Sequence, residues 1–245
     1  MSRQRRPRIE PVSRATNAAR LTLAAATAAL LLGAPPVLAD GYAGGPGHAS
    51  ALLPDGAIVV VGGDGLDGAP SGAAMVYRAD QPEPTGSLAT PRSRHTATSL
   101  FDGRILVVGG SDGAGPVGSL ELYDPLTGTF IPSNATLAVP RQGHVTVGLA
   151  DGRILVRGGR GADGQTVARD ELYDPRADAV QDAPAGLAVA TVTTDSSDYL
   201  PGDTVHVSGA GWQPGESVDL LFDEEPLVHA PVVIRTVADA NGEIR

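Results

Sequence analysis

The sequence predicts an all-β fold, namely an incomplete β-propeller of three four-stranded blades followed by a truncated β-sandwich. Three observations predict it. One segment occurs three times at spacings of 46 to 50 residues, each copy contains a double glycine, and short apolar runs alternate with turn residues. A period near ~50 residues built from short strands is typical of propeller blades, each of which is a four-stranded antiparallel sheet.

The repeats align on three anchors. A histidine comes first in each copy, then a pair of glycines, and then a tyrosine. The three sets are His48, His95 and His144; Gly62-Gly63, Gly109-Gly110 and Gly158-Gly159; and Tyr77, Tyr123 and Tyr173. We divide the propeller segment 40–186 into repeats 44–91, 92–140 and 141–185.

The second repeat is the best-formed copy, and its four strands follow from local pattern. The alternation after His95 predicts a first strand, and Asp102-Gly103 between apolar runs predicts a hairpin turn. Ile105–Val108 has no polar alternation, which predicts a strand packed on both faces. A third strand ends in the string 121–125, and a fourth is expected at 129–131.

Two strings carry a family resemblance. Asp-Gly-Arg-Ile-Leu-Val-x-Gly-Gly and Glu-Leu-Tyr-Asp-Pro, in the order found in repeat 92–140, resemble the kelch repeat. The resemblance implies a β-propeller whose double glycines lie where strands crowd near the axis. The flanking copies depart from the pattern, because the first has Tyr77-Arg78-Ala79 in place of Tyr-Asp-Pro. The third has only Ala179 and Val180 where the second has Phe130.

The number of repeats predicts an unclosed ring. Propellers close with about four to eight blades, so three blades leave two open edges. Open strand edges invite pairing with other chains. We therefore expect either a fragment of a longer product or a ring closed by self-association through the blade edges, and we favour the fragment.

Residues 187–245 predict a second, partial domain. Period-two stretches at 204–208 and 217–222 are separated by Pro-Gly and Gly-rich turns, which indicates a β-sandwich. The strings Tyr199-x-Pro201-Gly202-Asp203-Thr204-Val205 and Gly209-x-Gly211-Trp212-x-Pro214-Gly215-Glu216 resemble immunoglobulin-like modules that are repeated in large bacterial surface proteins. Such a sandwich needs about 100 residues, so this module is expected to be truncated.

Residues 1–39 have the organisation of a secretory signal peptide. A segment with six arginines precedes the apolar run Leu21–Leu32, and small or apolar residues precede a cut after Ala39. The run is shorter than the ~20 residues that a membrane-spanning helix needs. An uncleaved anchor and a misassigned start codon are the alternatives. We expect the mature protein to be secreted or at the cell surface, in a bacterium.

Composition excludes several classes of partner and chemistry. The net charge is -10, which argues against nucleic acid and, after signal cleavage, against an anionic membrane as partner. The chain contains no cysteine, so a disulfide framework, a thiol nucleophile and a cysteine-ligated metal site are all excluded.

Candidate site residues each have a simpler structural interpretation. His48, His95 and His144 occupy equivalent positions in different blades, so we interpret them as structural rather than as one metal site. The Asp- and Gly-rich loops 64–68, 111–113 and 162–164 lack the calcium-loop pattern and are interpreted as turns. The same holds for the aspartates of the second domain, namely Asp195, Asp198 and Asp203.

Arg157 is the sharpest departure between repeats. It stands where the other copies have Val61 and Val108, just before the double glycine. Two interpretations remain open, namely a side chain that faces the central channel and holds an anion, and exposure on an edge blade. The string Asn134-Ala135-Thr136 is a glycosylation sequon that matters only in a eukaryotic secretory pathway.

The sequence indicates a non-catalytic binding or adhesion protein that uses the kelch blades as an interaction platform for a protein or glycan. It predicts no catalytic set, no metal ligands and no cofactor, and it assigns no binding residues. The alternative is a fragment of a secreted carbohydrate-active kelch enzyme. The resemblance extends to galactose and glyoxal oxidases, but their copper chemistry requires a tyrosine crosslinked to a cysteine, which this chain lacks. A hydrolase or epimerase would need convergent carboxylates. A decayed gene fragment without a function of its own is a third interpretation.

Overall fold

The regular structure consists of β-strands throughout the described part of the chain. The computed structural model describes residues 17–25, 44–78, 81–185, 187, 191–194, 198–199, 206–212, 214–225 and 232–244. The first strand, β1 (Asn17–Ala25), belongs to a sheet formed with the C-terminal part of the chain. Within the described residues there is no helix long and apolar enough to cross a membrane.

Three four-stranded antiparallel sheets follow in chain order, and they confirm the three predicted blades. Blade 1 contains β2 (Ala49–Leu52), β3 (Ile58–Val61), β4 (Ala74–Arg78) and β5 (Gln81–Pro84). Blade 2 contains β6 (Thr96–Ser99), β7 (Ile105–Val108), β8 (Ser119–Asp124) and β9 (Thr129–Thr136). Blade 3 contains β10 (Val145–Gly148), β11 (Ile154–Arg157), β12 (Glu171–Asp174) and β13 (Ala179–Asp182). Strand β9 is longer than the predicted 129–131.

The prediction that β7 packs on both faces is confirmed. Ile105 and Val107 belong to the core shared with blade 1, whereas Leu106 and Val108 belong to the core shared with blade 3. All four side chains are fully buried. Because both faces of this strand meet a neighbouring blade, polar alternation would place a polar side chain in a dry core.

The hairpin turn at Asp102-Gly103 also forms as predicted. Leu100 N donates to Arg104 O at 2.8 Å, and Gly103 N donates to Leu100 O at 3.0 Å. Gly103 has a φ of +88°, which a residue without a Cβ adopts without strain. The Asp102 carboxylate accepts the backbone N–H of Arg104 at 3.1 Å, so the aspartate side chain closes the turn.

The double glycines allow a close approach between consecutive repeats. A Cβ on Gly109 would lie 2.7 Å from the backbone oxygen of Arg141 and 2.9 Å from Cε1 of His144. A Cβ on Gly62 would meet Arg92 and His95 at similarly short distances. The predicted crowding is therefore real, and it is contact with the Arg-x-x-His turn of the following repeat.

The C-terminal part forms two further sheets. Their strands are β14 (Thr191–Thr194), β15 (Asp198–Tyr199), β16 (Val207–Ala210), β17 (Ser217–Glu225), β18 (Val232–Val237) and β19 (Glu243–Ile244). One sheet has the order β14-β16-β19, and the other has the order β15-β1-β17-β18. Trp212, Val218 and Leu220 are buried in a core cluster of this region. The assignment to an immunoglobulin-like module remains a prediction.

The sheet that contains β1 lies next to both outer blades. Strand β17 lies beside β2 of blade 1, and β1 lies beside β10 of blade 3. Val233 packs against the buried residues Ile58 and Val60 on the outer face of blade 1. Strand β1 overlaps the start of the predicted apolar run of the signal peptide. The rest of that run and the proposed cut after Ala39 lie outside the described residues.

Candidate functional site at the inner rim

The starts of the three inner strands lie together at one end of the blades. Each inner strand follows a repeat histidine, and the residue before that histidine is Gly47, Arg94 or Gly143; we call these three residues the inner rim. Backbone hydrogen bonds join them, since Arg94 N donates to Gly47 O at 2.6 Å and Gly143 N donates to Arg94 O at 2.8 Å. The inner rim is thus a continuous backbone ridge that crosses all three blades.

Two buried arginine–glutamate pairs lie next to the inner rim. Arg92 Nη2 lies 2.8 Å from a carboxylate oxygen of Glu121, and Arg141 Nη2 lies 2.6 Å from that of Glu171. All four side chains are almost completely inaccessible to water. The remaining donors are used as well, because Arg92 also donates to the backbone oxygens of Gly109 and Ser119. A buried charge is tolerated when its hydrogen-bonding groups all have partners in this way.

Each glutamate also fixes the connection between two blades. Glu121 accepts the backbone N–H groups of Ala89 and Thr90 at 2.7 and 3.1 Å. Glu171 accepts those of Ala138 and Val139 in the same way. Burial lowers the pKa of Arg92, and the nearby Glu121 opposes this shift. The guanidinium remains charged, since its ordinary pKa is far above neutrality.

Blade 1 lacks this pair. The sequence positions that correspond to Arg92 and Glu121 are Gly45 and Met75. Sequence reasoning missed the pairs, although the signal was present. Two repeats share Arg three residues before the histidine and Glu two residues before the tyrosine, and the first repeat lacks both residues.

Arg94 has a backbone conformation that favours glycine. Its φ is +56°, and the equivalent residues Gly47 and Gly143 have φ values of +74° and +61°. A side chain in this left-handed region costs about 1–2 kcal/mol. The Arg94 side chain is exposed, and Gly47 makes room for it, because a Cβ there would lie 3.0 Å from Arg94 Cγ. Strain of this kind is typical of functional positions.

A row of polar side chains continues from Arg94 into blade 3. Arg94 Nη1 donates to Gln142 Oε1 at 3.3 Å. The backbones of Gln142 and Arg160 exchange hydrogen bonds of 3.1 and 2.9 Å, so their side chains occupy directly opposed positions. Arg160 is exposed and donates to the backbone oxygen of Gly164 at 2.9 Å. We call Arg94, Gln142 and Arg160 the arginine row.

The three repeat histidines lie in separate blades, as the sequence indicates, and all are buried. His144 Nε2 lies 3.0 Å from Thr96 Oγ1 of the neighbouring blade. Burial, followed by the charge of Arg141, lowers the pKa of His144 to about 4, so the ring is neutral at physiological pH. Across the described residues, no group of three histidines or carboxylates is arranged to hold a metal ion.

The aspartates of the loops act as turn formers. Asp67 accepts the backbone N–H of Ala69, Asp112 accepts that of Ala114, and Asp163 accepts that of Gln165. The side chains of Asp195, Asp198 and Asp203 lie outside the described residues.

Arg157 lies on blade 3 and is partly exposed, and its charge is paired within the protein. Its guanidinium forms an ion pair with Asp170 at 2.8 Å and donates to the backbone oxygen of Leu187 at 3.2 Å. Asp170 stands opposite Arg157 where blade 2 pairs Val108 with Leu120. The side chain is therefore partly exposed but already neutralised, and it contacts the start of the C-terminal region.

A second contact between blades was also missed by sequence reasoning. Asp178, in the turn before β13, accepts hydrogen bonds from Ser133 Oγ, from Asn134 N at 2.9 Å and from Tyr173 Oη at 3.1 Å. The sequon residue Asn134 also donates its side-chain amide to Asp178 at 3.2 Å. We call this set of bonds the Asp178 clasp, because it joins the outer strands of blades 2 and 3.

Comparisons with known proteins agree with this architecture. The matching family model is the Kelch motif, over residues 91–133. A comparison with curated proteins gives no match. Among 168 matching chains of solved structures is YjhT, with 14% sequence identity and a TM-score of 0.50. The match covers 71% of this chain, and the chain spans only 65% of YjhT. At this identity the likeness shows the fold alone.

Together, these findings define an arc of a β-propeller. The chain forms three four-stranded sheets, neighbouring sheets share a buried core, and a solved structure matches the fold. The Kelch motif match lies in blade 2, the double glycine recurs in all three blades, and the string Glu-Leu-Tyr-Asp recurs in blades 2 and 3.

Proposed function

We propose that this chain is a secreted or cell-surface protein that binds a protein or glycan partner at the inner rim without converting it. The observation that carries the proposal is Arg94. A strained, exposed arginine replaces the glycine of both sister repeats, and among the described residues its side chain bonds only to Gln142, at 3.3 Å. Kelch domains commonly mediate protein binding, which supports the same conclusion.

Arg94 differs from the other strained residue in a way that supports a role in binding. Asp178 also has a positive φ, of +46°, but its carboxylate is occupied by the Asp178 clasp. Within the part of the chain that the structure describes, the side chain of Arg94 makes one long hydrogen bond, to Gln142. The described side-chain contacts therefore offset little of its strain, as expected if a ligand provides the compensation.

The test compares the full-length chain with two variants on arrays of immobilised glycans and peptides. Arg94→Gly restores the residue of the sister repeats, so we expect a folded protein that has lost at least about tenfold in affinity. Arg176→Ala, at an exposed arginine in the turn before β13, serves as the matched control and keeps full binding.

Equal binding by wild type and Arg94→Gly would refute the rim as the site. Turnover of any bound glycan would refute the non-catalytic part of the proposal. Recovery of the protein from culture medium with Asp40 at its N-terminus is the expected result for the secreted form.

A further inference from the structure

We propose that the arginine row binds carboxylates of an acidic segment of a partner polypeptide. This inference rests on the proposed function and names the ligand class of the same site. It starts from the way in which the described blades use their arginines.

Most arginines of the blades are neutralised within the protein. Ten arginines lie in the described segments 44–78 and 81–185, and seven of them form ion pairs with a carboxylate. The three without an ion pair there are Arg94, Arg160 and Arg176. Two of these three lie together in the arginine row, whereas Arg176 lies in the turn before β13, at the opposite end of the blades. In a chain with a net charge of -10, two arginines that both adjoin Gln142 and have no ion pair among the described residues are notable.

Within the described residues, the geometry of the row leaves guanidinium donors available to a ligand. Arg94 uses Nη1 on the amide oxygen of Gln142, and Arg160 uses Nη1 on the backbone oxygen of Gly164. Both acceptors are neutral, so they orient the two guanidiniums without cancelling their charge. Each guanidinium has five N–H donors in a planar fork, which matches the two oxygens of a carboxylate.

Two aspartates whose backbones lie beside the rim favour a carboxylate over a phosphate. Asp64 N donates to Pro46 O beside the inner rim, and Asp112 follows Ser111, which pairs with Ser93. These aspartates repel a phosphate dianion more strongly than a carboxylate monoanion. A carboxylate, which carries a single negative charge, is therefore a better ligand for the two guanidiniums than a phosphate dianion.

The exposure of the row favours a chain with several carboxylates. An ion pair in contact with water contributes little by itself, so one small carboxylate would be held weakly. Arg94 belongs to blade 2 and Arg160 to blade 3, and they can engage successive acidic side chains of one extended segment. Contacts made along one chain add to its affinity.

The experiment measures fluorescence anisotropy of a labelled peptide of alternating glutamate and glycine with the full-length protein, at physiological ionic strength. The control peptide has glutamine in place of glutamate. We expect the glutamine peptide to bind at least about tenfold more weakly, because it lacks the charge-assisted bonds. Arg94→Gly and Arg160→Ala should each reduce binding of the glutamate peptide, whereas Arg176→Ala should not.

Equal binding of the two peptides, or undiminished binding by both row variants, would overturn the inference. Stronger competition by polygalacturonate or by polyphosphate than by unlabelled glutamate peptide would also overturn it, since the ligand class would then be another polyanion. If a neutral array ligand depends on Arg94 while the glutamate peptide does not bind, the inference fails and the proposed function stands. If neither depends on Arg94, both fail.

Discussion

Arg94 and Asp178 are the two described residues other than glycine with a positive φ, and each replaces a glycine of a sister repeat. Asp178 corresponds to Gly128, whose φ is +67°. Aspartate instead of glycine at position 178 adds a carboxylate that accepts hydrogen bonds from Ser133 and Asn134 of β9 and from Tyr173 of β12. The exchange at 94 gains an exposed guanidinium. One kind of strain therefore supports the fold, and we infer that the other supports binding.

The Asp178 clasp is testable with Asp178→Gly. Glycine relieves the backbone strain but removes the acceptors of Ser133, Asn134 and Tyr173, so we expect a net loss of about 1–2 kcal/mol in the free energy of unfolding. Urea denaturation measures it, with Arg94→Gly as the matched control that relieves strain without loss. An Asp178→Gly protein as stable as wild type would show that the clasp contributes nothing.

The same clasp should weaken in acid. Burial acts to raise the pKa of Asp178, but hydrogen bonds from Ser133, Asn134 and Tyr173 hold it below its ordinary value. Because the folded-state pKa is depressed, the stabilisation is present at neutral pH and is lost as the pH falls through that lowered pKa. The stability difference between wild type and Asp178→Gly should shrink accordingly.

At the scale of elements, blades 2 and 3 each contain one buried arginine–glutamate pair, which blade 1 lacks. Glu121→Ala would leave Arg92 charged and unpaired in the core, so we expect a loss of about 3–5 kcal/mol in the free energy of unfolding. The double variant Arg92→Met with Glu121→Met should lose less, because it leaves no unpaired charge in the core; blade 1 has Met75 at the position equivalent to Glu121. Denaturant midpoints give both values.

Two results would count against this account of the pair. A single Glu121→Ala variant with wild-type stability would mean that the buried charge is not stabilised by its partner. A double variant that is much less stable than the single would mean that the hydrogen bonds from Arg92 to the backbone oxygens of Gly109 and Ser119 outweigh the cost of its unpaired charge. Glu83→Ala, at an exposed carboxylate paired with Arg78, is the control and should change stability little.

Local pattern predicted the strands, the turn at Asp102-Gly103 and the crowding at the glycines, because each depends on residues close together in sequence. The partners of Arg92 and Arg157 were not predicted. Arg92 lies 29 residues from Glu121, and Arg157 meets Asp170 across a loop whose length hides the strand register. Composition alone does not show which side chains converge after such a loop, and so the arginine row was missed as well.

For the whole molecule, the outer face of blade 1 is covered by the sheet β15-β1-β17-β18, through Val233 of β18. Val233→Asp would place a charge against Ile58 and Val60, so we expect this face to be exposed and the protein to self-associate. Val237→Asp, at a side chain that is 55% exposed, is the matched control. Size-exclusion chromatography with light scattering distinguishes them.

Identical elution of the two valine variants as monomers would contradict this role of the sheet. Self-association of wild type as well would agree instead with the expectation, drawn from the number of repeats, that the blade edges are open. A monomeric wild type would therefore indicate that the chain covers its own blade edges, whereas a self-associating wild type would indicate that these edges are exposed.

The absence of the arginine–glutamate pair from blade 1 has a consequence for folding order. Each pair closes a loop of about 30 residues within one repeat, and contacts that are local in sequence form early. We therefore expect blades 2 and 3 to form their own folding nuclei, whereas blade 1, with Gly45 and Met75, is expected to depend on a neighbour. Tyr123 of blade 2 reaches Thr85 of blade 1 at 2.9 Å. We expect the first blade that is synthesised to be completed after the second.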